Sequence, residues 1–358
     1  MTTLAVEDHQ LLLAQVERLA DQALSGLDTA LDESRFSRDN FRNAATNAGL
    51  MCAPGAHTEA MLWMDGMEAF SLDALRTVAR GNASAALMLY RETAASSLLA
   101  SMEDRADICR ASLLPEGVQG PGRAALAHWL QDRPLADGDR VELADNFSGQ
   151  TPRAVFAAED ADLIFPVWSE DALHWAHLPS GSGRSPCEHP HGMEALGMLQ
   201  LDPADRSLLC RIEPAQFADT LHRHYRALLA IGAGLVDRAR EVAVDYADQR
   251  RQGGRVIREW PAVRALIADI RDAADGLESV MQHSPITDPQ GLARTVRIFL
   301  RLSRDVCTAC NQCMQVLGGI GYMRDLPAEK LVREANVLRR CSGSPTLLAE
   351  FAASLEEG

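Results

Sequence analysis

The sequence predicts a mainly α-helical protein with a β-domain in its middle. Apolar residues recur at helical spacing towards both ends of the chain, whereas short apolar segments alternate with turn formers in between. The run PEGVQGPG at 115–122 marks the change from the first pattern to the second. We therefore expect an N-terminal helical domain at 1–119, a small β-barrel or sandwich at 120–214, and a C-terminal four-helix bundle at 215–358.

The N-terminal prediction depends on helical periodicity and on two candidate capping residues. One apolar stripe consists of Leu11, Leu12, Val16, Leu19 and Leu24. Residues 41–51 carry the apolar edge of a second helix. Ser71 is expected to cap a third helix, and Asn82 is expected to begin a fourth, alanine-rich one.

The middle domain is expected to hold short antiparallel strands. The candidate strands are 123–130, 140–143, 154–157, 163–168, 173–178 and 208–212. Gly, Pro, Ser and Asp separate these segments at intervals typical of an antiparallel barrel or sandwich. Beyond them, residues 221–249, 260–281 and 291–317 are each long enough to cross a four-helix bundle.

The composition and net charge of the chain indicate which classes of molecule it does not bind. The chain has 358 residues and a formal net charge of −15, which disfavours nucleic acids and anionic membranes. No uncharged apolar stretch of about 18 residues predicts a membrane span, and the N-terminus lacks the basic start and apolar run of a signal peptide. A cytoplasmic protein with reduced cysteines is expected.

The spacing of Cys307, Cys310 and Cys313 is part of an iron–sulfur pattern, but the fourth cysteine followed by proline is missing. Three residues spaced by three share one helix face, so we expect these cysteines in a packed seam. The pairs His174 with His177 and His189 with His191 also have spacings that a metal could use. Nothing nearby completes a site, and no metal is expected.

The run QVLGGIGY at 315–322 places three glycines between two helices, where the backbone can approach a ligand closely. The following stretch, 323–338, continues a pattern that resembles the acyl-CoA dehydrogenase family, Q-x-L-G-G-x-G-Y and then R-x-x-P-x-E-x-L-x-R-D-A-x-V-L. A second match, YADQRRQGGRVI at 246–257, resembles the family's Y-A-x-x-R-x-x-F-G-x-x-I. The resemblance is firm over roughly 220–348 and faint upstream.

The resemblance implies a cofactor, FAD, bound across a subunit interface with its ADP half held by the neighbour's C-terminal domain. Arg250 would then neutralise the pyrophosphate, while Gln315, Gly318 and Gly319 would present donors to the ADP portion. Gly343 would keep the turn at the catalytic position. Gly253 replaces the family's phenylalanine and Pro261 replaces a glutamine, so weaker cofactor binding is expected.

The family's catalytic base is missing. Members remove a proton next to a thioester carbonyl with the glutamate of a Y-E-G-T turn, and here Ser342 of Cys341-Ser-Gly-Ser344 stands at that position. Serine is no base unless another group deprotonates it. Some family branches carry the base on an earlier helix, where His224 stands here, and histidine can accept a proton at neutral pH. The stretch HRHYR at 222–226 also fits a polar helix start.

The flavin-ring side resembles the family least. Its L-T-E segment would fall near 126–128 and its W-I-T-N strand near 155–158, without the threonines and the tryptophan. His128 and Trp129 could replace those contacts, or both could belong to a buried strand pair.

Three functions remain open at this point. The first is FAD-dependent α,β-dehydrogenation of an acyl thioester, carried by CoA or by a carrier protein, with Ser342 in place of the glutamate. The second is a catalytically silent subunit that donates FAD contacts to an unlike acyl-CoA dehydrogenase partner. The third is a flavin monooxygenase on the same fold. The resemblance implies an oligomer, either a homo-oligomer or, for the second function, a pairing with an unlike acyl-CoA dehydrogenase subunit.

Overall fold

A computed structural model of the protein describes residues 6–24, 36–56, 61–102, 107–115, 123–147, 153–186, 193–282 and 288–357. Its N-terminal part consists of four helices, as predicted. They are α1 (Val6–Leu24), α2 (Arg38–Asn47), α3 (Glu68–Gly81) and α4 (Ala83–Ala100). Helix α4 is buried on nearly all sides, which its alanine-rich sequence permits because small side chains allow close packing on every face.

The two predicted helix caps have different outcomes. Asn82 caps α4, and its side chain accepts a hydrogen bond from the Ala85 N–H at 2.9 Å. The prediction for Ser71 is wrong, because α3 begins at Glu68 and Ser71 lies inside it. The Ser71 hydroxyl donates to the Met67 carbonyl and accepts from the Trp63 N–H at 3.0 Å. Ser71 therefore fixes the loop that precedes the helix.

The middle of the chain forms two sheets. The strands are β1 (Ala111–Leu113), β2 (Arg153–Ala157), β3 (Asp162–Ser169), β4 (Ala172–Leu178), β5 (Arg184–Pro186), β6 (Gly197–Leu201) and β7 (Ser207–Arg211). The first sheet has the order β1-β3-β4-β7, with β1 parallel to β3 and the other pairs antiparallel. The second has the order β2-β6-β5 and is antiparallel. Four predicted strands are thereby confirmed, as β2, β3, β4 and β7.

Two predicted strands are wrong. Residues 123–130 form helix α5 (Arg123–Leu130), and 140–143 lie within helix α6 (Asp137–Phe147). Short apolar runs do not distinguish a strand from a buried helix, and the small residues of α5 suit its packing against the C-terminal helix of the chain. The domain boundaries at 119/120 and 214/215 stay predictions.

The C-terminal part is a helical bundle, as predicted. Its helices are α7 (Pro214–Gln249), α8 (Pro261–Met281), α9 (Pro289–Leu317), α10 (Pro327–Arg340) and α11 (Pro345–Glu356), and a hairpin of β8 (Arg251–Gln252) and β9 (Arg255–Val256) follows α7. All five helices begin with proline, whose fixed φ and missing N–H suit the first helical turn. The long helices α7 and α9 pack against each other along the bundle.

The cysteine seam is confirmed. Cys307, Cys310 and Cys313 are all buried in α9, and burial raises the pKa of the Cys313 thiol to about 12. Among the described residues, no three metal-ligating side chains come together. None of the helices that the structure describes is long and apolar enough to cross a membrane.

A buried charge group, which we call the Lys330 group, joins three parts of the molecule. Lys330 of α10 lies 2.6 Å from a carboxylate oxygen of Glu334 and 2.9 Å from one of Glu194, which precedes β6. Asn82, the cap of α4, donates to the same Glu194 oxygen at 2.6 Å. Burial alone would lower the pKa of Lys330, but the two carboxylates outweigh it and raise the pKa. The ammonium is therefore held in its charged form.

Candidate active site

The turn that carries Ser342 forms as expected. It connects α10 to α11, and Ser342 is fully buried. The Gly343 N–H donates to the Arg340 carbonyl at 3.0 Å, and Gly343 has a φ of +115°. That φ favours glycine over any residue with a Cβ, so Gly343 sets the path of the turn.

His224 meets Ser342 directly. It lies about three turns into α7, and its Nε2 atom is 2.7 Å from the Ser342 Oγ. The interpretation of 222–226 as a polar helix start is wrong, because α7 begins at Pro214 and both His222 and His224 are buried. The structure thus brings together the two positions at which the resemblance places a catalytic base.

Tyr90 of α4 completes this arrangement. Its hydroxyl lies 3.1 Å from the Nδ1 atom of His224, so both ring nitrogens have a hydroxyl partner. A neutral imidazole donates from one nitrogen and accepts at the other. None of the three residues, Tyr90, His224 and Ser342, exposes more than 1% of its surface. We refer to them as the buried relay.

Trp63 packs against the buried relay and is itself almost fully buried. Its ring packs edge-on against Tyr90, with the ring centroids 5.7 Å apart, and its indole N–H donates to the Thr93 hydroxyl at 3.1 Å. The guanidinium of Arg223 lies 5.7 Å from the centre of the Trp63 ring. Trp63 has a φ of +67°, a conformation that costs about 1–3 kcal/mol for such a residue. The Ser71 and Thr93 contacts hold it there.

The predicted cofactor-binding residues lie on the surface of the C-terminal bundle. Arg250 is the exposed residue at the end of α7, and Gln315 is exposed in the last turn of α9. Gly318 ends α9 with a φ of +66° and a ψ of −143°, which glycine alone adopts without strain. A Cβ added to Gly318 or Gly319 would meet no atom within 4 Å. All four residues are therefore exposed at the surface of the bundle.

The two departures from the family motif have local explanations. Gly253 has a φ of +62°, and a Cβ there would lie 3.0 Å from the Trp260 ring, which covers the hairpin. The Arg255 guanidinium stacks on the Trp260 ring, 3.8 Å from the ring centroid. Pro261 is the first residue of α8, where the missing N–H costs nothing. The predicted loss of a backbone donor at Pro261 therefore has no effect on the helix.

The candidate flavin-ring contacts differ from the prediction. His128 and Trp129 lie on helix α5, so the strand-pair interpretation is wrong. His128 Nδ1 is 3.4 Å from an Asp139 carboxylate oxygen. Trp129 is buried, and its ring centroid is 6.1 Å from that of Phe217. Trp129 therefore contributes to the core.

A second buried charge group lies beside the end of β2. Arg42 of α2 pairs with Glu92 of α4 at 2.6 Å and also with Asp160, which follows β2. Arg91 donates to the carbonyl of Phe156 in β2. Burial raises the pKa of Glu92 despite the neighbouring Arg42. No sequence motif indicates this group, because its members are far apart in the chain.

Of the two histidine pairs, only His174 and His177 lie within the described residues. His174 and His177 lie on β4, and His177 Nε2 is 2.9 Å from an Asp162 carboxylate oxygen. Burial alone would raise the pKa of Asp162, but hydrogen bonds from His177 and the Ser180 N–H lower it below its ordinary value. His189 and His191 lie outside the described residues.

In comparisons with known sequences, the C-terminal bundle of this chain is similar to acyl-CoA dehydrogenases. The sequence model of the acyl-CoA dehydrogenase C-terminal domain matches residues 216–353. An acyl-CoA dehydrogenase of Bacillus subtilis (strain 168) is 31% identical over 120 residues, or 33% of this chain and 32% of the relative. A 3-sulfinopropanoyl-CoA desulfinase of Paraburkholderia xenovorans (strain LB400) is 24% identical over 120 residues, or 33% and 31% of the two chains. The matched segment thus spans about a third of the length of these relatives.

Comparison with solved structures extends the likeness of fold to the whole chain. Butyryl-CoA dehydrogenase from Megasphaera elsdenii superposes with a TM-score of 0.69 at 14% identity and covers 100% of both chains. A glutaryl-CoA dehydrogenase in complex with glutaryl-CoA gives 0.70 at 15% identity, covering 99% of this chain and 96% of that one. The predicted order of helical domain, β-domain and helical bundle is confirmed. Residues 216–353 thus match the acyl-CoA dehydrogenase C-terminal domain in sequence, and the whole chain has the fold of the solved acyl-CoA dehydrogenases.

Proposed function

We propose that this protein is an FAD-dependent dehydrogenase of acyl thioesters in which His224 takes the role of the family's glutamate. The observation that carries the proposal is the 2.7 Å contact between His224 Nε2 and Ser342 Oγ. Ser342 stands at the family's usual base position, and His224 stands at the position used by other branches. A histidine within reach of that position supplies the basicity that serine lacks.

The residues on the bundle surface fit the ADP portion of FAD. Arg250 is an exposed cation suited to a pyrophosphate, and Gly318 and Gly319 leave their backbone open to a ligand. Because these groups face outward, they would hold the cofactor of a neighbouring subunit in a homo-oligomer. Bound FAD would accept the hydride from the carbon next to the one that loses a proton.

The buried relay is suited to holding that proton. A protonated His224 would donate from both ring nitrogens, to the hydroxyl oxygens of Ser342 and Tyr90. The charge would then have two hydrogen-bond acceptors in a buried site, where such bonds are strong. Since the relay is sealed in this structure, a thioester reaches His224 only after neighbouring side chains shift.

A second candidate is the catalytically silent partner subunit. The same burial of Tyr90, His224 and Ser342 favours it, because a substrate site would need open space beside the base. The ion group of Arg42, Glu92 and Asp160 adds to this argument, since it lies at the strand that would contact the flavin ring. In this case only the outward ADP face would function, for an unlike partner that keeps the glutamate.

The visible spectrum of the purified protein distinguishes the two candidates. An independent enzyme is expected to show a stoichiometric flavin band that bleaches when a CoA thioester is added without oxygen. A silent subunit is expected to be colourless alone and to gain flavin only when co-expressed with an unlike family member. A stoichiometric flavin band that stays unchanged when CoA thioesters are added would contradict the proposed dehydrogenase.

A further inference from the structure

We propose that Ser342 is a nucleophile, and that the buried relay of Tyr90, His224 and Ser342 cleaves acyl thioesters by way of an acyl-serine. This inference rests on the proposed function in one respect, the placement of a thioester against Ser342. It does not require flavin or a hydride acceptor.

The geometry is that of an activated nucleophile. The Ser342 Oγ lies 2.7 Å from His224 Nε2, and the other ring nitrogen lies 3.1 Å from the Tyr90 hydroxyl. A nucleophile within hydrogen-bond reach of a base, with the base oriented by a third group, is the arrangement used in serine acyl transfer. Its members come from α4, α7 and the turn after α10, separated by 134 and 118 positions. Three distant elements therefore converge on one line of contacts.

The position of Ser342 indicates that an acyl thioester is the substrate of this nucleophile. A base in the family's position must reach the α-carbon of the thioester, and the carbonyl carbon is only one bond, about 1.5 Å, from that atom. A glutamate there removes the α-proton. A serine hydroxyl whose proton passes to histidine can instead add to the carbonyl carbon.

The reaction balances without any oxidant. As the bond from Ser342 Oγ to the carbonyl carbon forms, the hydroxyl proton passes to His224 Nε2. The carbon–sulfur bond then breaks, and His224 returns the proton to the leaving thiolate. Water later attacks the acyl-serine, His224 takes a proton from that water and delivers it to Ser342 Oγ, and a carboxylic acid leaves. Tyr90 acts as a positioning residue that holds the His224 ring.

The burial of the relay predicts which step is slow. Trp63 covers Tyr90 and the Tyr225 ring packs on His224, with ring centroids 5.3 Å apart, so little room remains for water. Once side chains have shifted to admit the thioester, acyl transfer to Ser342 needs no further molecule, whereas the release of the acyl group needs water to enter beside His224 as well. We therefore expect an acyl-serine that accumulates.

Intact mass measurement with acetyl-CoA and butanoyl-CoA tests the proposal. The wild-type chain is expected to gain the mass of one acyl group, located by peptide mapping at Ser342, with stoichiometric release of CoA. Because an ester on serine resists neutral hydroxylamine and a thioester on the adjacent Cys341 does not, the adduct should survive that reagent. Absence of an adduct, or an adduct that hydroxylamine removes, overturns the proposal.

Four variants sharpen the test. Ser342→Ala is expected to abolish the adduct, and Ser342→Cys is expected to make it sensitive to hydroxylamine, which keeps the test decisive if the alanine variant does not fold. Tyr90→Phe should slow adduct formation by about 10- to 100-fold, since an orienting group for the base contributes up to about 10⁴-fold in its charged form. Ser344→Ala is the matched control, because Ser344 lies two residues away and caps no helix through its side chain. An adduct that persists in Ser342→Ala contradicts the proposal.

The failure of this inference and that of the proposed function are distinguishable. Flavin that bleaches with a CoA thioester, without an acyl adduct, retains the dehydrogenase and rejects the acyl transfer. An acyl adduct on a protein that holds no flavin supports the acyl transfer and rejects the dehydrogenase. Neither readout depends on the other.

Discussion

The Nε2 atom of His224 lies 2.7 Å from the Oγ atom of Ser342, which joins the long helix α7 to the turn after α10. A third residue, Tyr90, binds the remaining ring nitrogen of His224. At the position where the resemblance places a glutamate, the structure therefore has a hydroxyl in contact with a buried histidine.

Arg250→Gln is expected to weaken flavin binding by about 10- to 100-fold, because a charge-assisted contact to a phosphate contributes about 1.5–3 kcal/mol. Arg250 is exposed, so the stability of the fold should not change. Flavin titration followed by fluorescence measures the affinity. Arg294→Gln is the matched control, since Arg294 is also exposed but lies at the opposite end of α9 from Gln315. Equal losses in both variants would mean that Arg250 is not a specific contact.

Gly234→Ala is expected to destabilise the protein by about 1–3 kcal/mol, because α3 crosses α7 there without space for a methyl group. A Cβ on Gly234 would lie 2.3 Å from the Arg76 carbonyl oxygen. Gly276→Ala in α8 is the control: its Cβ would meet Leu302 at an ordinary 3.6 Å, and alanine should stabilise the helix by about 0.5–1 kcal/mol. Urea unfolding measures both. A Gly234→Ala variant as stable as wild type would contradict the close crossing.

Lys330→Met is expected to cost about 3–5 kcal/mol, because it leaves the buried carboxylates of Glu194 and Glu334 without their cation. Arg301→Met serves as the control, since the exposed pair of Arg301 with Asp305 contributes less than about 1 kcal/mol. The free energy of unfolding in urea is the measurement. Similar values for the two variants would show that the Lys330 group does not hold the three parts together.

The pKa of Asp162 predicts an acid-sensitive contribution to stability. Because that pKa is lowered in the folded protein, the unfolded chain binds the proton first as the pH falls, and stability is lost below about pH 4. Asp162→Asn is expected to lower stability at pH 7 by about 1–2 kcal/mol and to flatten the decline at low pH. Asp65→Asn, in an exposed loop, should leave the profile unchanged. An unaltered acid profile in Asp162→Asn would contradict this assignment.

The sequence predicted the bundle well for a physical reason. Helices α7, α8 and α9 are long and amphipathic, so their periodicity extends over many turns, and the glycine turn at 315–322 carries an extended motif. Helices α5 and α6 are short and were expected to be strands. A pattern of four to eight residues does not contain enough turns to reveal its period.

The candidate site was predicted residue by residue, but its arrangement was not. Ser342 and His224 followed from the family motif, each as a separate candidate. Their contact depends on how α7 packs beside the turn after α10. Tyr90 gave no signal, because it lies in an alanine-rich helix 134 positions before its partner. Contacts of this kind follow from the tertiary structure alone.

The rate at which a CoA thioester bleaches the bound flavin in His224→Gln, compared with wild type, is the direct test of His224 as the catalytic base. Glutamine retains hydrogen-bonding groups towards Ser342 and Tyr90 but has no basic nitrogen. Stopped-flow absorbance without oxygen, on protein whose flavin content and melting temperature match wild type, provides the rate. We expect bleaching to slow by about 10²- to 10⁴-fold, the contribution of a general base. Bleaching at the wild-type rate in His224→Gln would contradict the assignment of His224 as the base.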